Sequence, residues 1–145
     1  MINAVWAAML ATAFSTITLA APAQVVAITL QDSSVEPSIT GMVIKVAPAK
    51  VKAGRVILEA VNQSKSLVHE VLVVPALPQQ KELPYDTKTD TVVEKRMHSL
   101  GEIPELEPGA RGKLALTLKP GKYLLFCNQP GHFKAGMSTT LVVEN

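Results

Sequence analysis

An all-β sandwich of about seven or eight strands is predicted for this 145-residue chain by three features. Apolar residues are gathered into short runs rich in Val, Ile and Leu. Several runs alternate apolar with polar residues, the period of a strand with one buried face. Gly or Pro punctuates the joins, as turns between strands require. The length suits one domain able to bury a core without staples.

The first segment stands apart. Ala4 to Ala23 carries no charge and is rich in Ala, Leu, Ile, Val and Phe, and polarity returns abruptly at Gln24. Ala21-Pro22-Ala23 matches the small-x-small pattern of a signal-peptidase site, so residues 1–23 read as an export signal and 24–145 as the mature domain. No Lys or Arg precedes the apolar stretch. The alternative is an uncleaved anchor helix, since roughly 18 to 20 apolar residues can just span a bilayer. Both place the domain outside the cytoplasm, with the periplasm as the expected location and membrane contact only if the segment is retained.

Seven strands follow. Val25–Leu30 is short and β-branched. Thr40–Val46 alternates, setting Met42, Ile44 and Val46 against Gly41, Val43 and Lys45. Arg55–Val61 begins after Gly54, and Leu67–Val74 is apolar apart from His69 and Glu70. Gly112–Lys119 puts Leu114, Leu116 and Leu118 on one face and Lys113, Thr117 and Lys119 on the other. Pro120-Gly121 is a turn, and Lys122–Cys127 and Ser138–Val143 complete the set. Between Pro75 and Arg111 the rhythm breaks: the stretch holds five prolines and much of the acidic charge. Long excursions of this kind carry function or structure of their own, and Asp90–Met97 is expected to form a short helix capped by Asp90 or Thr91.

Composition excludes several classes. With 48% apolar and 18% charged residues the chain is not disordered. A net charge of +2 with no clustered basic face gives no nucleic-acid footprint. The single cysteine, Cys127, rules out an internal disulfide.

The chemistry lies near the C-terminus, where Cys127, His132 and Met137 recur at five-residue steps on a loop containing Pro130, Gly131 and Gly136. His69 sits far upstream within an apolar strand. Taken singly, each residue has an ordinary explanation: a core histidine, a packed methionine, an inert buried thiol. Jointly they offer two imidazoles, a thiolate and a thioether, a soft set that favours copper. Zinc suits it less, because structural zinc sites use Cys and His and rarely Met. One cysteine is too few for a two-copper centre, and three histidines are too few for multicopper oxidase chemistry.

This pattern resembles the cupredoxin family of type 1 blue-copper proteins, with C-x4-H-x4-M spacing most like that of rusticyanins and sulfocyanins. The resemblance covers Tyr123–Val143 strongly and Val61–Val74 in support, where Asn62 and His69 match the segment leading to the family's first ligand. It implies a Greek-key sandwich with copper at one end. It also implies one copper ion held by His69, Cys127, His132 and, weakly along the axis, Met137. Glu70 departs from the Asn or Ser often found there, which bears on the hydrogen bond that usually braces the copper loop.

The expected function is single-electron transfer between redox proteins, cytochrome-like or oxidase-like, by a monomer that is not itself an enzyme. The alternative is a copper-binding module for tolerance or delivery. Copper-resistance cupredoxins with a similar loop carry a Met-His pair, as Met97-His98 does here, and a Pro-Gly turn such as Pro108-Gly109. Pro130 and Phe133 are either loop packing or an apolar docking patch around His132. Tyr123 and Phe126 are expected to fill the core.

Overall fold

A computed structural model describes residues 22–32, 41–76 and 82–145. The export signal or anchor expected over residues 1–23 falls almost wholly outside them.

Eleven strands form among the described residues: β1 (Gln24–Gln31), β2 (Val43–Ala47), β3 (Lys50–Lys52), β4 (Gly54–Asn62), β5 (His69–Pro75), β6 (Tyr85–Asp86), β7 (Thr91–Val92), β8 (Gly101–Leu106), β9 (Arg111–Leu118), β10 (Gly121–Phe126) and β11 (Ser138–Glu144). One sheet runs β2-β1-β4-β9 and the other β3-β11-β10-β5-β8, while β6 and β7 make a separate small hairpin. The chain changes sheet at every step from β2 to β5 and again from β8 to β10. Neighbours pair antiparallel except β1 with β4 and β3 with β11.

The core between the sheets follows the alternation in the sequence. Val26, Ile28 and Leu30 of β1 and Val56, Leu58 and Ala60 of β4 meet Val71, Val73, Leu125, Leu141 and Val143 from the opposite sheet. On β9, Leu114, Leu116 and Leu118 face inward while Lys113, Ala115 and Thr117 are exposed, as the pattern predicts.

β5 is different, being buried on both faces along nearly its whole length. That explains its almost unbroken apolar run, which a strand with one wet face would not need. Its Val71 and Val73 point between the sheets, whereas Leu72 and Val74 point outward into a second cluster with Phe126 and Val92. Leu83, Tyr85, Met97, Leu124 and Phe133 pack against this outer cluster. The excursion after β5 is therefore the cover for the outer face of the sheet.

One expectation for the excursion is corrected. Asp90–Met97 is not a helix: Thr91–Val92 pairs with Tyr85–Asp86, and only Glu94–Arg96 forms a turn of 3-10 helix. Asn128 reaches across from the Cys127 loop, accepting from Val92 N–H at 2.6 Å and donating to Val92 C=O at 3.0 Å, so this backbone is satisfied as a strand. The excursion also contains a full strand, β8. It pairs with β5 through a bulge, for His69 faces Leu106 and Val71 faces Ile103, leaving Pro104 and Glu105 opposite Glu70. Proline is tolerated there because β8 is an edge strand and the position is bulged.

Candidate metal centre

Strand direction brings the first two site residues together. Cys127 directly follows β10 and His69 opens the neighbouring β5. Cys127 shares the inward parity of Tyr123 and Leu125, as His69 shares that of Val71 and Val73, so both side chains enter the space between the sheets at one end. Neither is exposed to solvent.

The loop from Cys127 to Met137 is closed by its own backbone. Cys127 N–H donates to Met137 C=O at 3.1 Å, and Met137 N–H to His132 C=O at 3.0 Å. His132 N–H reaches Gln129 C=O and Ala135 N–H reaches Gly131 C=O. Turns this tight need the left-handed region, which Gly131 (φ 80°) and Gly136 (φ 90°) occupy without steric cost. Asn128 and Gln129 brace the loop: Asn128 Nδ2 also donates to Glu94 at 2.8 Å, and Gln129 Nε2 donates to Glu70 at 3.3 Å. Glu70 thus supplies a brace of its own to the loop, where the sequence left this contact in doubt.

The result is a small triangle of donor atoms. His69 Nδ1 lies 3.2 Å from His132 Nδ1 and 3.9 Å from Cys127 Sγ, and His132 Nδ1 lies 3.3 Å from that sulfur. The point equidistant from all three is about 2.0 Å from each, the length of a bond between a transition metal and an imidazole nitrogen. Met137, which closes the loop, is fully buried in the same core. His132 is only half-buried, the one member of the four with an edge near solvent.

Electrostatics favour a soft cation here. Burial pushes the Cys127 thiol up to about 11 in the metal-free protein, even though backbone N–H groups of Glu70 and Gln129 hydrogen-bond its sulfur. Burial, followed by the proximity of His69, lowers the pKa of His132 and keeps it neutral. His69 Nε2 is 2.8 Å from Asp32 Oδ1. Burial alone would raise the Asp32 pKa, but hydrogen bonds from Ser64 and His69 hold it below its usual value. An ionised carboxylate only accepts, so Nε2 is the donor in this contact. Three possible ligand atoms thus converge, and a metal that displaces the thiol proton would engage all of them at once. Two imidazoles and one thiolate fit a single type 1 copper ion.

The remaining candidates separate clearly. Met97 packs against the outer cluster and His98 is exposed, and among the described residues His98 belongs to no group of three His, Cys, Asp or Glu side chains close enough to share an ion. Phe133 meets Phe126 edge-on at 5.4 Å and Tyr85 at 6.3 Å, so it is mainly packing, while Pro130 is exposed. Tyr123 and Phe126 fill the two cores. Sequence reasoning did not find Asp32 or Asn128, because neither forms part of a spacing motif. An Asn directly after the cysteine was the only available signal.

No protein-family model matches this chain, and no curated protein matches it. Solved structures do. An auracyanin from Roseiflexus castenholzii aligns over 82% of this chain and 97% of its own, with TM-score 0.56 and 19% identity. Rusticyanin from Thiobacillus ferrooxidans aligns over 83% and 78%, with TM-score 0.54 and 19% identity. Auracyanin A of Chloroflexus aurantiacus, described as a "blue" copper protein, aligns over 83% and 99%, with TM-score 0.51 and 22% identity. The chain has the cupredoxin fold, and within it the ligand atoms of His69, Cys127 and His132 all lie within 4.8 Å of one another.

Proposed function

We propose that this protein is a mononuclear type 1 copper protein that carries single electrons between redox proteins outside the cytoplasm. His69, Cys127 and His132 would form the equatorial set, with Met137 as the weak axial ligand. One observation carries this reading: a thiol sulfur and two imidazole nitrogens, from strands and a loop up to 63 residues apart, converge within 3.2 to 3.9 Å of one another.

Bound copper would supply the chemistry, exchanging one electron between Cu(II) and Cu(I). The protein's part is to hold the donors still. Cys127 and His69 are fixed by paired strands, and the loop is tied by Asn128 and Gln129 to separate elements. Such bracing favours similar geometry in both states. The amides directed at the Cys127 sulfur and the apolar surroundings would tune the potential of a bound copper. His69, Cys127 and Met137 are sealed from solvent, so electrons would pass through the exposed edge of His132. All four residues are read as binding groups, and the protein as a carrier without enzymatic activity of its own. The apolar segment before Gln24 supports export, with residues 24–145 as the working domain.

The test is to add Cu(II) to the purified mature protein and record its visible spectrum. An intense thiolate-to-copper band, absent in Cys127→Ala, is expected. A colourless protein that binds Cu(I) tightly would overturn electron transfer in favour of copper handling.

A further inference from the structure

Asp32 follows the last residue of β1, 37 positions before His69, and both its oxygens are occupied. Oδ1 faces His69 Nε2 at 2.8 Å. Oδ2 accepts the Ser64 hydroxyl, and the Lys65 backbone N–H also bonds the carboxylate. Ser64 is itself held firmly. Its N–H donates to Asn62 Oδ1 at 2.9 Å, and its hydroxyl oxygen accepts from Ser66 N–H at 3.1 Å and Leu67 N–H at 2.7 Å. Asn62 is fully buried and donates to Leu67 C=O at 2.8 Å and Leu106 C=O at 2.7 Å. A continuous polar chain therefore runs from the interior through Asn62, Ser64 and Asp32 to the outer nitrogen of a histidine that has no solvent contact.

A neutral imidazole has one protonated nitrogen, and the group bonded to that nitrogen decides which it is. Here the partner is a fixed carboxylate, so the ring is held as the Nε2–H form with its Nδ1 lone pair toward Cys127 and His132. A carboxylate behind the ring also makes the other nitrogen a stronger donor, which stabilises the more highly charged metal state. We propose that Asp32 is a positioning residue that locks His69 in its ligating tautomer and biases the bound copper toward Cu(II). This inference rests on the copper reading above for its second half only.

Two variants test it. Asp32→Asn keeps an acceptor facing Nε2 and removes the charge, while Asp32→Ala removes both. In metal-free wild type, nitrogen NMR of the His69 ring should show a single form protonated at Nε2. Asp32→Ala should show a mixture of tautomers within an otherwise dispersed, folded spectrum. With copper, Asp32→Asn should shift the Cu(II)-over-Cu(I) preference at least tenfold toward Cu(I), a rise in potential of about 59 mV for one electron. Asp32→Ala should also lose about 10- to 100-fold in Cu(II) affinity. An unchanged tautomer in Asp32→Ala, or an unchanged potential in Asp32→Asn, overturns the assignment. Should wild type itself bind no copper, the copper reading fails and the metal-free NMR still decides the tautomer lock.

Discussion

Replacing Glu70 by Gln should stabilise the metal-free protein at neutral pH and leave it little changed at acid pH. Glu70 is 8% exposed, and burial, followed by the negative charges of Glu105 and Glu94, raises its pKa from 4.5 to about 7. The folded protein therefore keeps this proton while the unfolded chain has already released it. Stability on this account falls as pH rises from 4.5 and levels off above 7. A carboxyl displaced that far costs up to about 3 kcal/mol once ionised, and solvent at its open side reduces this to about 1–2 kcal/mol. Gln cannot ionise and can still accept from Gln129. Urea unfolding of both proteins, without metal, at pH 4.5 and pH 8 isolates the effect, because the other ionisable groups are common to both. The gain of Glu70→Gln over wild type should be larger by that amount at pH 8. An equal difference at the two pH values would refute the argument that the carboxylate is forced into a poor environment.

Asn62→Ala removes two buried donations and the acceptor for Ser64, and should lower stability by about 2–4 kcal/mol in the same assay. Asn128→Ala severs the loop from Val92 and Glu94. It should cost about 1–3 kcal/mol and speed amide exchange at Gly131 and His132 before the sheets are affected. Phe126→Ala empties the centre of the outer cluster and should cost about 3–5 kcal/mol, read as a drop in Tm. Gly112→Ala would drive a methyl into Ile103 Cγ2 and should destabilise by about 1–3 kcal/mol, because β8 and β9 must move apart.

The strands most legible in the sequence were those with a complete pattern. β9 shows clean alternation, β10 and β11 flank a loop rich in Gly and Pro, and all three lie within one residue of the expected bounds. β3 was hidden because three residues are too few to display a period. β8 was hidden by Pro104, which argues against a strand unless the strand is known to be bulged and at an edge. The polar stretch Asp90–Met97 has helical composition, but a side chain from another loop satisfies its backbone as a strand. The convergence of His69, Cys127 and His132 followed from residue chemistry, since few other arrangements account for that soft set. Asp32 was invisible for the opposite reason: a lone carboxylate after a strand has no distinguishing neighbours, and only the fold brings it to His69.

The irregularity in β8 has a further consequence. Ile103 and Leu106 both point into the inner core, although an odd separation sends two residues of a regular strand to opposite sides. One extra residue beside Glu70 reconciles them, and it sits level with the first histidine. Loss of a single amino acid from this stretch would remove the bulge and leave Ile103 and Leu106 two apart on a regular strand, both still inward, so the change would fall on the bend of the edge opposite Glu70. Homologous chains should therefore carry either one or two residues between the positions of Ile103 and Leu106, with both of those positions apolar.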